Sequence, residues 1–385
     1  MIIDVTRLVR RAYHGCAPNG IDRVSLAYVR HYEAAARALV WWPGGPYILD
    51  ERRSRALWGA LLAPAAVPRP ELLRLLGRGV LSAARGRRDR QGLRGALCFN
   101  TGHSGLERPG YGQRLRGYGL RPVFMIHDLI PLTHPEYCGP PARDRHARRI
   151  DAALNDAAAL ITNSCATRRD LERHAQARGR ALPLTVTAPL APGIAPARQA
   201  PVAEDGAPYF VMLGTIEARK NHWMILQVWR GLIERLGAAA PRLLLIGQRG
   251  WECENVIDLL ERCAVLRGYV SERSDCSDQE LGNCLRRARA LLFASFTEGY
   301  GMPLVEALSL GVPAIVSNLP VFREVAGGVP EYIDPLDGRR WAEVVTDYAA
   351  TDSALRARQL ERMAGFEPPT WAEHFAIVDD LVRQL

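Results

Sequence analysis

Short apolar runs alternate with longer segments of helical period along the whole chain. A first series of runs comprises MIIDV at the start, ALCFN near 98, PVFMIHD near 125, ALITNS near 161 and LTVTAPL near 187. A second comprises YFVMLGT near 212, RLLLIG near 245, AVLRGYV near 267, RALLFAS near 292 and VPAIVSN near 315. Most are continuously apolar rather than alternating, the pattern of strands covered on both faces of a parallel sheet. Between them, helical spacing marks 21–37, 144–155, 221–236, 278–287 and 303–310. This alternation predicts doubly wound α/β architecture.

The two series are separated by APGIAPARQAPVAEDGAP, 191–208, whose proline, alanine and glycine content reads as a linker. The expected organisation is therefore a domain over 1–190, a linker over 191–208, a second domain over 209–365 and a closing helix over 366–385. Two Rossmann-like domains would face each other across a cleft. The stretch 57–81 sets Trp58 and several leucines among arginines; a core-facing helix and a membrane-surface contact both fit it.

Composition narrows the class. A chain of 385 residues, 48% hydrophobic and 24% charged, is globular rather than disordered and long enough for two or three domains. No uncharged stretch approaches the ~20 residues of a membrane-spanning helix. The start, MIIDVTRLVRR, carries Asp4 and arginines inside its apolar stretch, so it does not read as a secretory signal. Eight cysteines with no C-x-x-C pair read as reduced thiols of a cytoplasmic protein.

Charge is divided unevenly: residues 1–200 carry a net +16 and residues 201–385 a net −7. The densest basic run is RGRRDRQGLR, 85–94. The anionic inner face of a membrane suits it as a peripheral partner, and a plain solvated surface suits it equally. Nucleic acid is disfavoured, because no aromatic residues interleave the arginines. Of the 50 basic residues one is lysine, Lys220. A chain biased toward arginine retains lysine where a compact ammonium is needed, as at a crowded phosphate site.

The richest segment is FASFTEGYGMPLVEALSLGVPAIVSN, 293–318. An apolar strand leads into the turn Glu298-Gly299-Tyr300-Gly301, and a helix is expected from Met302-Pro303. A helix start presents free N–H groups and a positive dipole end to phosphate or sugar. Glu298 precedes that helix and Glu306, eight positions on, is expected on its first turn. Carboxylates accept from vicinal hydroxyls, so a sugar and a ribose are natural ligands.

EGYGMPLVEAL, with Glu298 and Glu306, resembles the E-x7-E motif of the retaining GT-B glycosyltransferases of family four. LGTIEARKN resembles the phosphate-binding turn of their C-terminal domain, and IHDLIPLTHPEY the segment that supplies a catalytic-site histidine. NGIDRV resembles a cleft-facing loop and helix start, and PVFREVAGGVPEYIDP the stretch after E-x7-E. The likeness is specific over about 120–340 and nearest to mannosyl- and rhamnosyltransferases of bacterial O-antigen assembly.

The resemblance implies a GT-B fold and transfer of a hexose, GDP-mannose type favoured, from a nucleotide sugar to a glycan or lipid-linked glycan. Lys220 and Arg219 would hold the donor diphosphate, Glu298 the donor sugar and Glu306 the ribose. Gly299, Tyr300, Gly301, Met302, Pro303 and Leu304 would supply backbone donors, Tyr269 and Val270 would border the base, Gly20 would face the cleft, and His127 would lie near the reacting carbon. Retention would proceed by front-face attack, with a leaving phosphate oxygen taking the acceptor proton.

Several features qualify this. Thr215 follows Gly214 where many relatives carry arginine, and SERSDC, 271–276, suggests an enlarged loop near the base. His134 lies in a loop, while His14 and His103 border glycine turns and fit acceptor contact and plain turn chemistry equally. Asp275 and Asp278 lack metal-ligand spacing, so no metal and no cofactor is expected. The alternatives are a UDP-sugar-dependent transferase of the same fold and a non-catalytic nucleotide-sugar-binding module.

Overall fold

A computed structural model of the chain describes residues 1–42, 45–63, 68–85, 93–194 and 207–385, with 78–85 as backbone only. The described residues form two compact units. The first comprises Met1–Leu129, Asp144–Leu190 and Trp371–Leu385; the second comprises Ile130–Arg143 and Ala191–Thr370. The segment 130–143 thus packs with the second unit and the C-terminal helix, Trp371–Gln384, with the first. Most of the 191–208 linker and of the 85–94 arginine run lies outside the described residues.

The first unit holds β1 (Ile2–Asp4), β2 (Arg37–Trp42), β3 (Gly45–Ile48), β4 (Leu97–Asn100), β5 (Arg121–Ile126), β6 (Ala159–Thr162) and β7 (Leu184–Thr187). Their order is β3-β2-β1-β4-β5-β6-β7, parallel except for the antiparallel β2–β3 pair. The second unit holds β8 (Tyr209–Leu213), β9 (Arg242–Ile246), β10 (Val270–Arg273), β11 (Leu291–Phe293), β12 (Ala314–Ser317) and β13 (Glu331–Ile333). These run in the order β10-β9-β8-β11-β12-β13, all parallel. Most of the continuous apolar runs are interior strands buried on both faces, whereas LTVTAPL supplies the partly exposed edge strand β7.

Two expectations need correction. AVLRGYV is not itself a strand: Ala264–Leu266 forms a 3-10 turn, and β10 begins at Val270. The first residues of SERSDC are therefore edge strand rather than loop, and their alternating half-exposed pattern explains their polarity. In the 57–81 stretch, Leu57, Trp58, Leu72 and Leu76 are buried in the unit's core, whereas Leu73 is exposed. Those four side chains, on the helices Glu51–Leu62 and Arg69–Arg85, are spent on the interior. Among the described residues no helix is long and apolar enough to cross a membrane.

The C-terminal helix is fastened to the first unit by a buried polar link. His374 Nδ1 donates to the Pro189 carbonyl at 2.9 Å, leaving Nε2 to accept from the Tyr28 hydroxyl at 3.0 Å. Phe375 packs on Tyr28, and Asp379 accepts from the Tyr32 hydroxyl at 2.6 Å. Burial pushes the His374 pKa down to about 4, outweighing its hydrogen bonds to backbone carbonyls. A histidine whose pKa is depressed by folding stabilises the fold above its ordinary value of 6.5 and loses that contribution as pH falls toward 4. His374→Leu should cost about 1–3 kcal/mol at neutral pH by stranding the Tyr28 hydroxyl and the Pro189 carbonyl. Thermal unfolding between pH 7 and pH 4 should also show a shallower acid loss in this variant than in the wild type.

Candidate functional site

In the second unit the strand order reverses between β8 and β11, and residues following those two strands come together there, the usual ligand position in an open α/β sheet. After β8 the chain makes a 3-10 turn, Ala218–Lys220, passes through Asn221 in the left-handed region and enters the helix His222–Leu236. The Lys220 stem lies against Gly214, its Cε 3.4 Å from where a Cβ there would stand. After β11 the chain reaches Gly301 (φ +107) and enters the helix Met302–Ser309. A Cβ at Gly301 would come within 2.8 Å of the Phe322 ring, so both backbone and neighbour demand glycine. The segments are stitched together: Phe296 N donates to the Arg219 carbonyl at 2.9 Å, and Arg219 Nη1 donates to the Thr297 carbonyl at 3.2 Å.

Glu298 is the centre of the arrangement. Its Oε1 accepts from Lys220 Nζ and, at 2.8 Å, from Ser295 Oγ; its Oε2 pairs with Arg219 Nη1 at 2.8 Å. Arg219 Nε pairs in turn with Glu217 Oε1 at 2.6 Å. Burial alone would favour the neutral acid, but Arg219, Lys220 and Ser295 hold the Glu298 pKa down to about 2. Burial and the Arg219 charge lower the Lys220 pKa, with Glu298 opposing them. Burial raises that of Glu217 against the pull of Arg219 and Lys220. Lys220 Nζ also sits 4.7 Å above the Phe293 ring. Beside it, His222 is buried with neither ring nitrogen partnered among the described residues, and its pKa falls to about 3 through burial and the Lys220 charge. Two carboxylates and two cations thus share one poorly hydrated space.

The structure brings Lys220, Arg219 and Glu298 together with Glu217. Glu306 lies in the second turn of its helix rather than the first, because the helix begins at Met302; it is buried, and its Oε1 accepts from Gly193 N at 3.2 Å. The proposed row of backbone donors is shorter than expected. Pro303 has no N–H, Leu304 N donates to the Gly301 carbonyl at 2.9 Å, and the Tyr300 and Leu304 side chains are core. Tyr269 closes the turn before β10 and donates its hydroxyl to the Gly237 carbonyl at 3.2 Å; Val270 opens that strand.

His127 and Gly20 belong to the first unit. His127 follows β5, buried, with Nε2 2.7 Å from the Thr101 carbonyl; a carbonyl only accepts, so Nε2 carries the proton. Its own carbonyl accepts from Asn163 Nδ2 at 3.0 Å and Thr167 Oγ1 at 3.2 Å. His103, His127 and His146 form a buried cluster with neighbouring ring centroids 5.2 and 5.9 Å apart. Burial lowers the pKa of all three, and in His103 the other two rings lower it further. Gly20 opens the helix Gly20–Tyr32 behind a capping box of Asn19 and Asp22. Buried Asp22 pairs with Arg7 at 2.8 Å and Arg11 at 2.6 Å. Among the described residues, no group of three His, Cys, Asp or Glu side chains could hold a metal ion.

Residues 194–329 match the family described as glycosyl transferases group 1. The chain carries a group 1 glycosyltransferase domain. Relatives of this domain include the serotype-specific mannosyltransferase WbdA of Escherichia coli, 29% identical over 229 residues, and O-antigen chain mannosyltransferase B of the same organism, 31% identical over 224. These matches take in 55% and 56% of the chain, but only 28% and 58% of the respective relatives. Among solved structures, Anabaena HepE in complex with UDP and glucose aligns with a TM-score of 0.70 at 14% identity, covering 100% of this chain and 99% of its own. Sucrose-phosphate synthase from Thermosynechococcus elongatus aligns at 0.65 and 16%, covering 100% and 98%. The fold is GT-B, with the group 1 domain supplying the Lys220–Glu298 centre.

That centre has a measurable signature. Glu298→Gln should destabilise the protein by about 3–5 kcal/mol, because removing one partner leaves buried cations uncompensated. A carboxyl held near pKa 2 stabilises the fold above its ordinary value of 4.5 and loses that contribution as pH falls toward 2. Denaturant titrations at pH 7 and pH 3 should therefore show the wild type and the variant converging in acid.

Proposed function

We propose that the protein is a retaining glycosyltransferase that moves a hexose, GDP-mannose type favoured, from a nucleotide sugar to a glycan or lipid-linked glycan in bacterial surface polysaccharide synthesis. The observation that carries this reading is the convergence of Lys220 and Arg219 on one buried carboxylate at the strand-order reversal. Two buried cations held side by side by one protein carboxylate are preorganised to receive an anion. The mannosyltransferase names of the relatives support the sugar.

On this reading the donor diphosphate takes over Lys220 and Arg219 from Glu298, which then turns to the sugar hydroxyls. As the bond to the diphosphate breaks, negative charge grows on the phosphate oxygens and the two cations meet it, the electrostatic contribution that usually dominates such catalysis. One of those oxygens takes the acceptor proton as the hydroxyl attacks from the same face, so no covalent nucleophile is required. Glu306 receives the ribose hydroxyls in place of the Gly193 amide. Neutral His127, oriented by the Thr101 carbonyl, would offer Nδ1 as an acceptor to a sugar hydroxyl. Recruitment to an anionic membrane surface would rest on the arginines of the basic half, since Leu57, Trp58, Leu72 and Leu76 serve the core.

Lys220→Ala should reduce transfer about 100-fold, the loss of one charge-assisted contact to a developing charge. Lys220→Arg should also be impaired, and full activity in it would contradict the phosphate assignment. Turnover should persist in excess chelator, because the cations that meet the diphosphate are side chains. Thermal-shift measurements with GDP, UDP, ADP and their sugars identify the donor, a bound ligand raising the unfolding temperature; a preference for UDP would favour the alternative donor.

The two glutamates should separate in calorimetry with the nucleoside diphosphate alone. Glu306→Ala should weaken binding. Glu298→Gln should leave it intact or strengthen it, because the competing carboxylate is neutralised, while turnover of the intact donor falls. Equal loss of affinity in both variants would contradict the division of roles.

A further inference from the structure

We propose that an aromatic shelf on the second unit, built by His134, Tyr137, Phe296 and Trp251, is a stacking site for a hexopyranose ring of the acceptor glycan. The Tyr137 and Phe296 rings lie parallel within 3°, centroids 5.2 Å apart, and His134 continues the column 6.1 Å from Tyr137 at 16°. All three rings are half-buried. Trp251 stands beside them, its indole Nε1 3.4 Å from the Tyr137 carbonyl, with 47% of the residue exposed. The unit's core tryptophans behave otherwise: Trp229 and Trp341 are fully buried, donating to the Pro241 and Asp334 carbonyls. An indole whose N–H is engaged while about half of the residue stays exposed leaves apolar ring surface to solvent.

The shelf's place decides its occupant. Phe296 lies two residues before Glu298, and its N–H is bonded to the Arg219 carbonyl. The Trp251 loop is pinned to the same turn from the other side, with Ile216 N donating to the Gln248 carbonyl and Gly250 N to the Ile216 carbonyl, both at 2.9 Å. The rings therefore adjoin the residues proposed to hold the donor diphosphate and sugar, and the inference rests on that proposal for the acceptor's identity. A pyranose has an apolar face of C–H bonds that lies flat on an aromatic ring and an equatorial rim of hydroxyls that needs polar partners. A carboxylate is at hand for the rim: Glu252, turned by a left-handed backbone (φ +52), reaches toward the Tyr137 segment, its Oε1 3.9 Å from where a Cβ on Gly139 would stand.

The test is direct binding, read independently of transfer. Saturation-transfer NMR and calorimetry with a panel of α- and β-linked hexose trisaccharides, mannotriose among them, should show the wild type binding a saccharide through its ring protons. Trp251→Ala should weaken that binding roughly tenfold, as expected for loss of one stacking partner. Trp251→Phe should recover part of it, and GDP affinity should be unchanged in both variants. Where transfer is measurable, the acceptor KM should rise in Trp251→Ala while donor hydrolysis is unaltered. Saccharide affinity equal in wild type and Trp251→Ala would overturn the proposal, as would a wild type that binds no member of the panel. Weakened GDP binding with saccharide binding intact would also overturn it and assign the shelf to the nucleobase. A wild type that binds saccharide at the shelf but transfers no sugar from any donor would leave the shelf standing and defeat the transferase reading instead.

Discussion

A carboxylate buried as deeply as Glu298 stays ionised only if cations meet it, and the second unit is organised around that requirement. Desolvation alone would neutralise the acid, and Lys220 and Arg219 reverse the outcome. The two cations come from the turn after β8 and the carboxylate from the turn after β11. The bond from Phe296 N to the Arg219 carbonyl keeps those turns in register. Glu217 restrains Arg219 from behind. The result is a set of charges balanced within the protein. On the proposed reading, Glu298 occupies the place of the donor phosphate until the donor arrives, which keeps two close cations stable in its absence.

The same logic separates what could be read from the sequence from what could not. Central strands such as β5, β8 and β12 are buried on both faces, so composition alone marks them. β3 and β13 escape the pattern and β10 is displaced from it, because these three strands are sheet edges, where polar or irregular residues are tolerated. RALVWW was hidden by its position directly after a helical pattern. The packing of 130–143 with the second unit, and of the C-terminal helix with the first, is tertiary and leaves no local periodicity to detect.

At the site, Lys220 was conspicuous as the one lysine, and the two glutamates through their spacing around a glycine turn. Glu217 stands three residues before Lys220, yet nothing local shows that it pairs with Arg219, because the choice of ionic partner is made by the fold. The row of backbone donors from Gly299 to Leu304 is shorter than its sequence suggests for two different reasons. Proline's missing N–H was readable, whereas the commitment of Leu304 N to the Gly301 carbonyl depended on where the helix begins.

The lone lysine acquires a steric meaning beside its electrostatic one. Its stem runs against Gly214, its ammonium sits over the Phe293 ring, and Glu298 closes the far end. A guanidinium carries two more heavy atoms than an ammonium at the end of a comparable stem and must lie flat to use its donors. Interiors this close-packed resist enlargement, with strain of about 1–3 kcal/mol for added groups. Arg219, at the more open side, has room for a planar fork and uses it to bridge Glu217 and Glu298. In a chain with arginine at 49 of its 50 lysine or arginine positions, the one lysine stands where a glycine, a ring and a carboxylate leave a narrow space suited to the slimmer cation.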